Sequence, residues 1–151
     1  MVGRFERFAT AIASIHRNIQ KIERVEMAKY GLKGPHAQCL LTMQRYLDGI
    51  TAARLCEICD KDKAAISRTV AELEAAGMLI RPQGPGKRYR ACLKLSEAGF
   101  TAAEAVTSKA KLAVQQATGG YGAEMQEMFT TTLALVASNL ESICREGLKE
   151  E

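Results

Sequence analysis

The sequence contains no acidic residue between Glu74 and Glu97, although a quarter of its 151 residues are charged. Its N-terminus, MVGRFERF, lacks the apolar run of a secretory signal. No apolar stretch reaches the roughly 18 residues that span a bilayer. The five cysteines are odd in number and widely spaced, unlike those of a disulfide framework. These absences predict a cytoplasmic protein with free thiols and no membrane partner.

The sequence also lacks any recognisable set of catalytic or cofactor-binding residues. No Ser-His-Asp set, no Gly-rich phosphate loop and no pair of acids in a nameable cleft can be assembled. His16 and His36 are the only histidines, and a metal site would need further ligands from scattered acids or cysteines. The sequence therefore predicts no enzyme, no cofactor and no metal.

Long apolar stripes occur near both ends of the chain. The first alternates in steps of three and four, a heptad seam that predicts one helix to about Tyr30, ended by Gly31. It consists of Phe5, Phe8, Ile12, Ile15, Ile19 and Ile22. The second follows the break GGYG and consists of Met125, Met128, Phe129, Thr132, Leu133, Val136, Leu140 and Ile143. A helix cannot bury such a stripe alone, so the pattern predicts a homodimer.

Three shorter helices are predicted between these stripes. The first of the three opens at Gly34-Pro35 and stops at Asp48-Gly49. Thr51 and Asp62 are the predicted N-caps of the other two, and Gly77 ends the last one. This last helix has one apolar stripe, formed by Ile66, Val70 and Leu73. Its opposite face is small, polar and cationic, and consists of Ala64, Ser67, Arg68 and Ala71.

The periodicity of the sequence changes after this helix. Two short β-compatible runs, MLIRP and RACLKLS, flank QGPGKRY, whose glycines and proline favour a tight turn. Leu93 and Leu95 alternate with Lys94, as in a half-buried strand. The sequence predicts a basic β-hairpin here.

A fifth helix follows the predicted hairpin and runs to about Thr118. Its start is ambiguous, because it could begin near Ser96 or at a capping box formed by Thr101 and Glu104. The predicted elements together give a mainly α chain with one small β-hairpin, an α+β fold.

Two short helices followed at once by a basic hairpin indicate a winged helix-turn-helix. The N-terminal end of the second helix can enter the major groove of B-DNA, where alanines allow close approach. A narrow Gly-Pro-Gly tip can enter the minor groove, where the potential is most negative. The predicted partner is double-stranded DNA with a pseudo-palindromic operator. The predicted contacts are Lys63, Ala64, Ala65, Ser67, Arg68, Thr69, Lys87, Arg88 and Arg90.

The same region resembles the MarR family of transcriptional regulators. The resemblance rests on ITAARLCEICDKDKAAISRTVAELEAAGMLIR and GKRYRACLKLSEAG, which match the family's recognition helix, wing and helix-exit motifs. Two positions depart from the pattern, since Lys87 replaces a wing aspartate and Asp60 replaces a turn glycine. The resemblance implies a single domain, in which residues 34–99 form the winged lobe and residues 1–33 and 100–151 the helical dimerisation region.

The resemblance also implies a mode of regulation. Members of this family are most often repressors, and many bind a small lipophilic or phenolic effector between the dimer helices and the winged lobe. The candidate residues for such a site here are His16, Cys39, Met43 and Tyr46.

Two other classes of function fit parts of the sequence. Cys56 and Cys59 have the spacing of a redox or zinc pair, which would suit a cysteine-based redox or metal-responsive switch. No second pair or neighbouring histidine accompanies them, so packing in the core is the simpler interpretation. A winged helix can also be a protein–protein adaptor, although an adaptor would not need an acid-free basic wing.

Overall fold

The computed structural model describes residues 3–81 and 92–148. These residues form six helices and two strands, and the strands are β1 (Leu79–Ile80) and β2 (Lys94–Leu95). The helices are α1 (Arg4–Ala28), α2 (Gly34–Gln44), α3 (Ala52–Cys59), α4 (Lys63–Ala75), α5 (Glu97–Ala117) and α6 (Ala123–Glu146). The predicted mainly α fold with a small β-hairpin sheet is therefore confirmed.

The chain divides into two compact units, Met1–Lys111 and Leu112–Glu151. In the first unit, α2 packs against α1, α3, α4 and β2, so it lies at the centre of the helical packing. Its core contains eight apolar side chains with no exposed area, namely Met27, Ala37, Leu40, Leu55, Leu73, Ala102, Ala103 and Val106. The second unit contains α6, and none of its described residues is buried. Within the described residues, no helix is both long and apolar enough to cross a membrane.

The helix caps predicted from the sequence are present. The Thr51 side chain accepts a hydrogen bond from the Arg54 N–H at 3.2 Å, and the Asp62 carboxylate accepts one from the Ala65 N–H at 2.7 Å. Gly77 adopts a φ of +72°, the left-handed conformation that ends α4. These caps mark the start of α3 and both ends of α4.

The second helix is shorter than predicted, because it ends at Gln44 and not at Asp48-Gly49. Beyond Gln44 the chain turns so that Ile50 can form a β-bridge with Leu93, with backbone N···O distances of 3.0 and 2.8 Å. Gly49 has a φ of +106° at this turn, which a side chain would disfavour. The end of α2 is therefore set by pairing with a segment far along the chain.

The predicted strands pair antiparallel, with Leu79 opposite Leu95 and Ile80 opposite Lys94. Leu93 is buried and Leu95 is partly buried, whereas Lys94 is exposed, so the predicted alternation is confirmed. The predicted turn between the strands falls in residues 82–91, outside the described residues.

The structure resolves the ambiguous start of α5 in favour of Ser96. The Ser96 hydroxyl accepts a hydrogen bond from the Gly99 N–H at 3.0 Å and donates one to the Gly77 carbonyl at 2.6 Å. Thr101 lies inside the helix and donates to the Glu97 carbonyl. Ser96 thus caps α5 and joins its first turn to the end of α4.

Gly99 packs so closely on this junction that a Cβ atom there would collide with the carbonyl oxygen of Met78. We expect Gly99→Ala to lower the free energy of unfolding by about 1–3 kcal/mol or more, because the backbone of Met78 cannot move aside cheaply. Urea unfolding at one fixed protein concentration measures this loss.

Gly120→Ala is the matched control for this substitution. Nothing lies within 4 Å of a Cβ atom placed at Gly120, and its φ is not in the left-handed region. Equal stability of the two variants would contradict the close approach at Gly99.

Candidate nucleic-acid interface

One side of α4 is anchored in the core of the first unit. Ile66 and Val70 are each 2% exposed and Leu73 is 0% exposed. Because a helix has 3.6 residues per turn, burial of this stripe leaves the opposite side free. The free face of α4 consists of Ala64, Ser67, Arg68 and Ala71, and all four are exposed as the sequence predicts.

The N-terminal end of α4 is presented by a tight turn from α3. Asp60 adopts a left-handed conformation with φ 49° and ψ 51°, the one non-glycine residue with positive φ among the described residues. Aspartate tolerates this conformation better than most residues, which accounts for its presence at a position where the MarR pattern has glycine. The substitution at Asp60 therefore preserves the turn.

The residues predicted to contact DNA differ in their exposure. Lys63 and Arg68 are exposed, whereas Ala65 and Thr69 are partly buried at the edge of the helix. Within the described residues, Arg68 forms no ion pair, so its guanidinium is available to a ligand. The predicted wing contacts Lys87, Arg88 and Arg90 lie outside the described residues.

The base of the hairpin carries less free positive charge than the acid-free stretch suggests. Arg81 is paired with Glu74 of α4, with its Nε 2.8 Å from the carboxylate. Glu74 is the acid that immediately precedes the acid-free stretch, and the turn at Gly77 brings the two together. Arg81 therefore ties β1 to α4, while Lys94 on β2 is exposed.

A further contact to α4 was not predicted from the sequence. His36, only 4% exposed, lies with its Nε2 atom 2.6 Å from the carboxylate of Glu72 on α4. Its Nδ1 atom accepts a hydrogen bond from the Lys33 N–H at 2.7 Å. Nothing in the local sequence signals this contact, because its partners lie on different helices.

Comparison with known proteins agrees with this geometry. Residues 30–88 match the sequence model of the MarR family. The resemblance to the MarR family is confirmed. No curated protein matches the sequence.

Several solved structures of MarR-family regulators share the fold. A Listeria monocytogenes protein, complexed with a 26mer DNA, is 21% identical with a TM-score of 0.76, over 95% of this chain and 97% of that one. A Methanosarcina mazei Go1 regulator is 20% identical with a TM-score of 0.80, over 91% and 99%. A Silicibacter pomeroyi regulator is 17% identical with a TM-score of 0.71, over 99% and 97%. Because all three proteins are less than 25% identical to this chain, the structural similarity establishes its fold.

Two cavities among the described residues contain candidate effector residues, and neither of these cavities is lined by all four. His16 lines a groove of about 820 Å³ between α1, α2 and the α3–α4 turn. Cys39 lines a separate cavity of about 310 Å³ between α2 and α4. Met43 is buried in the core and Tyr46 is exposed, and neither lines these two spaces.

The larger groove of the MarR-like chain is rich in charged side chains. Its ionisable lining residues are His16, Glu23, Arg24, Arg45, Cys59, Asp60 and Lys61. Partial burial raises the pKa of Glu23, although the nearby His16 opposes this shift. A ligand in this groove would have to satisfy charges of both signs.

The cysteine pair Cys56 and Cys59 lies on α3, as predicted, and Cys59 is buried. Burial, followed by the neighbouring Cys59 thiol, raises the pKa of Cys39 to about 12. Such a thiol stays protonated at neutral pH and is a weak nucleophile. Among the residues that the structure describes, no group of three or more His, Cys, Asp or Glu side chains could hold a metal ion.

The burial of each cysteine predicts which thiol is labelled first. Iodoacetamide at pH 8 should label the exposed Cys144 first and leave the buried Cys39 unmodified until the protein is unfolded. Peptide mass spectrometry over a time course measures both. Labelling of Cys39 in the folded protein at the rate of Cys144 would contradict this packing and favour a thiol-based switch.

Proposed function

We propose that the protein is a homodimeric, sequence-specific DNA-binding regulator of transcription. The observation that carries the proposal is the free face of α4, where Arg68 is exposed and forms no ion pair with another described residue, opposite an apolar stripe that is buried in the core. A helix presented this way can place its first turns in a major groove. The shared fold supports the proposal, because the Listeria monocytogenes protein of this fold is complexed with DNA.

The residues of α4 have different roles in this proposal. Ala64 and Ala65 are small enough to let the backbone approach the bases, and a methyl group can contact thymine. Arg68 can reach a guanine edge or a phosphate, and Lys63, Ser67 and Thr69 can bind phosphates or base edges. Lys87, Arg88 and Arg90 are proposed to follow the backbone or enter the minor groove.

The apolar seam of α1 supports a dimer. Phe5 is 77% exposed, and Phe8, Ile12 and Ile15 are also exposed. A surface of this kind on one helix is typical of an interface and not of a free solvent face. Residues 1–33 and 100–151 are therefore proposed as the dimerisation region, with residues 34–99 as the DNA-binding lobe.

The stripe on α6 supports the same conclusion independently. Its exposed apolar residues are Met125, Met128, Phe129, Leu140 and Ile143. An isologous two-fold interface would cover equivalent surfaces of both copies and would relate two lobes for a pseudo-palindromic operator.

Repression that is released by a small effector is the finer part of the proposal, and it rests on the family resemblance. The groove beside His16 is the best-supported place for an effector, because it has the volume for a small molecule. Its charged lining favours an effector with an ionised or strongly polar group over a purely lipophilic one.

Selection of DNA tests the proposed function directly. The protein is incubated with fragments of its source genome, bound DNA is recovered, and the footprint is mapped. An imperfect palindrome of about 16–20 base pairs, with half-sites one helical turn apart, is the expected result. A protein–protein adaptor would instead ignore DNA even at low salt.

Ile15→Asp should dissociate the proposed dimer, because it places a charge in the apolar seam of α1. Sedimentation at micromolar concentration should give a monomer, and operator binding should be lost because one lobe alone makes too few contacts. Thr10→Asp is the control, since Thr10 is exposed on the opposite side of α1 and should leave the dimer intact. A dimeric Ile15→Asp variant would exclude this seam from the interface.

Replacement of one arginine on α4 and one in the wing should have separable effects on DNA binding. Arg68→Ala should cost about 1–3 kcal/mol and, for a base contact, relax the preference at one operator position. Arg88→Ala should make the salt dependence shallower by about one unit per lost phosphate contact in each half-site. Operator binding across a salt series measures both quantities.

Arg145→Ala provides a charge-matched control for both variants. Arg145 is exposed on α6, remote in sequence from the proposed lobe, and its loss should change neither specificity nor the salt slope beyond the effect of net charge. An Arg88→Ala variant that behaves like this control would remove the wing from the proposed DNA surface.

A further inference from the structure

His36 lies at the start of α2 in an arrangement that selects one tautomer of its neutral ring. It is the third residue of the helix and follows Pro35, which has no N–H to satisfy. The backbone N–H of Lys33 donates to His36 Nδ1 at 2.7 Å. A backbone amide can only donate, so Nδ1 accepts and carries no proton. The ring proton of neutral His36 is therefore on Nε2.

The Nε2 proton of His36 is directed at α4. Its acceptor is the Glu72 carboxylate, 2.6 Å away. His36 is almost fully buried, whereas the Glu72 side chain is 56% exposed, so the bond runs from the interior of the lobe to the edge of its surface. A hydrogen bond to an ionised acceptor is stronger than a neutral one. It joins the N-terminus of α2 to the helix proposed to enter the major groove.

Glu72 occupies a sensitive position on α4. It lies four residues after Arg68, a spacing at which a helix allows Arg and Glu to pair. The two residues also line the same cavity, together with Lys33, Lys61 and Thr69. Yet the carboxylate bonds to His36, and Arg68 has no ion pair among the described residues.

We propose that His36 is a positioning residue for DNA binding, which acts through Glu72 to set the orientation of α4 and to keep the carboxylate away from Arg68. This inference rests on the proposed function. The apolar stripe buries one side of α4 but contains no directional bond, whereas a short hydrogen bond restricts rotation about the helix axis. His36 does not contact DNA in this proposal, and it affects DNA binding only through the orientation of α4.

Two substitutions at Glu72 isolate the hydrogen bond from the charge. Glu72→Gln and Glu72→Ala both remove the negative charge, but only glutamine retains an oxygen that can accept from His36 Nε2. A comparison of these two variants therefore cancels the electrostatic gain that DNA binding would make from losing an acid.

His36→Asn supplies the matched background. The asparagine side-chain oxygen can take the place of Nδ1 and accept from the Lys33 N–H, which keeps the start of α2 capped. Asparagine has no group that reaches Glu72. The link to α4 is thus lost while the local cap is retained.

The experiment measures the affinity of all variants for a duplex selected with the wild-type protein. With His36 present, Glu72→Ala should bind about fivefold to tenfold more weakly than Glu72→Gln. In the His36→Asn background, the two should bind equally. Hydrogen exchange in the free protein supplies a second readout, in which the amides of α4 should exchange faster in Glu72→Ala than in Glu72→Gln.

Each outcome decides one claim. Equal affinity of the two Glu72 variants with His36 present, or a difference that persists with His36→Asn, would overturn the role of His36. If the wild-type protein selects no duplex, the proposed function fails, and hydrogen exchange alone decides whether His36 positions α4. Unchanged exchange between the two Glu72 variants would then reject the positioning as well.

Discussion

The one-sided burial of α4 is the constraint on which the rest of the candidate site depends. Ile66, Val70 and Leu73 enter the core, and the helical repeat then determines that Ser67 and Arg68 face outward. The Asp62 cap begins the helix and the left-handed Gly77 ends it, so its length is also fixed. This burial determines which residues of α4 face outward, and the two caps determine where the helix begins and ends.

The junction after α4 transmits this placement to the base of the hairpin. Ser96 accepts from Gly99 and donates to the Gly77 carbonyl, and the missing side chain of Gly99 lets α5 approach Met78 closely. Since β1 begins directly after Met78, the base of the hairpin is held against the end of α4. The proposed major-groove and wing elements are therefore parts of one packed unit at their bases.

Features determined by local chemistry could be predicted from the sequence, and features determined by distant pairing could not. Thr51 and Asp62 were identifiable as caps because a cap acts on an N–H only three residues away. The predicted end of α2 was wrong by several residues, because the bridge between Ile50 and Leu93 determines where the helix ends. Likewise, periodicity predicts the exposure of Arg68, but no local pattern places His36 against Glu72, 36 residues later.

The acids of α4 illustrate how such distant contacts shape an electrostatic surface. A helix that binds phosphates should not carry unopposed negative charge, yet α4 contains both Glu72 and Glu74. Each is held by a partner from another segment, since Glu72 accepts from His36 and Glu74 pairs with Arg81. Both acids lie in the C-terminal half of the helix, whereas Lys63 and Arg68 lie closer to its N-terminal end. The charge of α4 is therefore graded along its length, and its positive end is the one that follows the turn at Asp60.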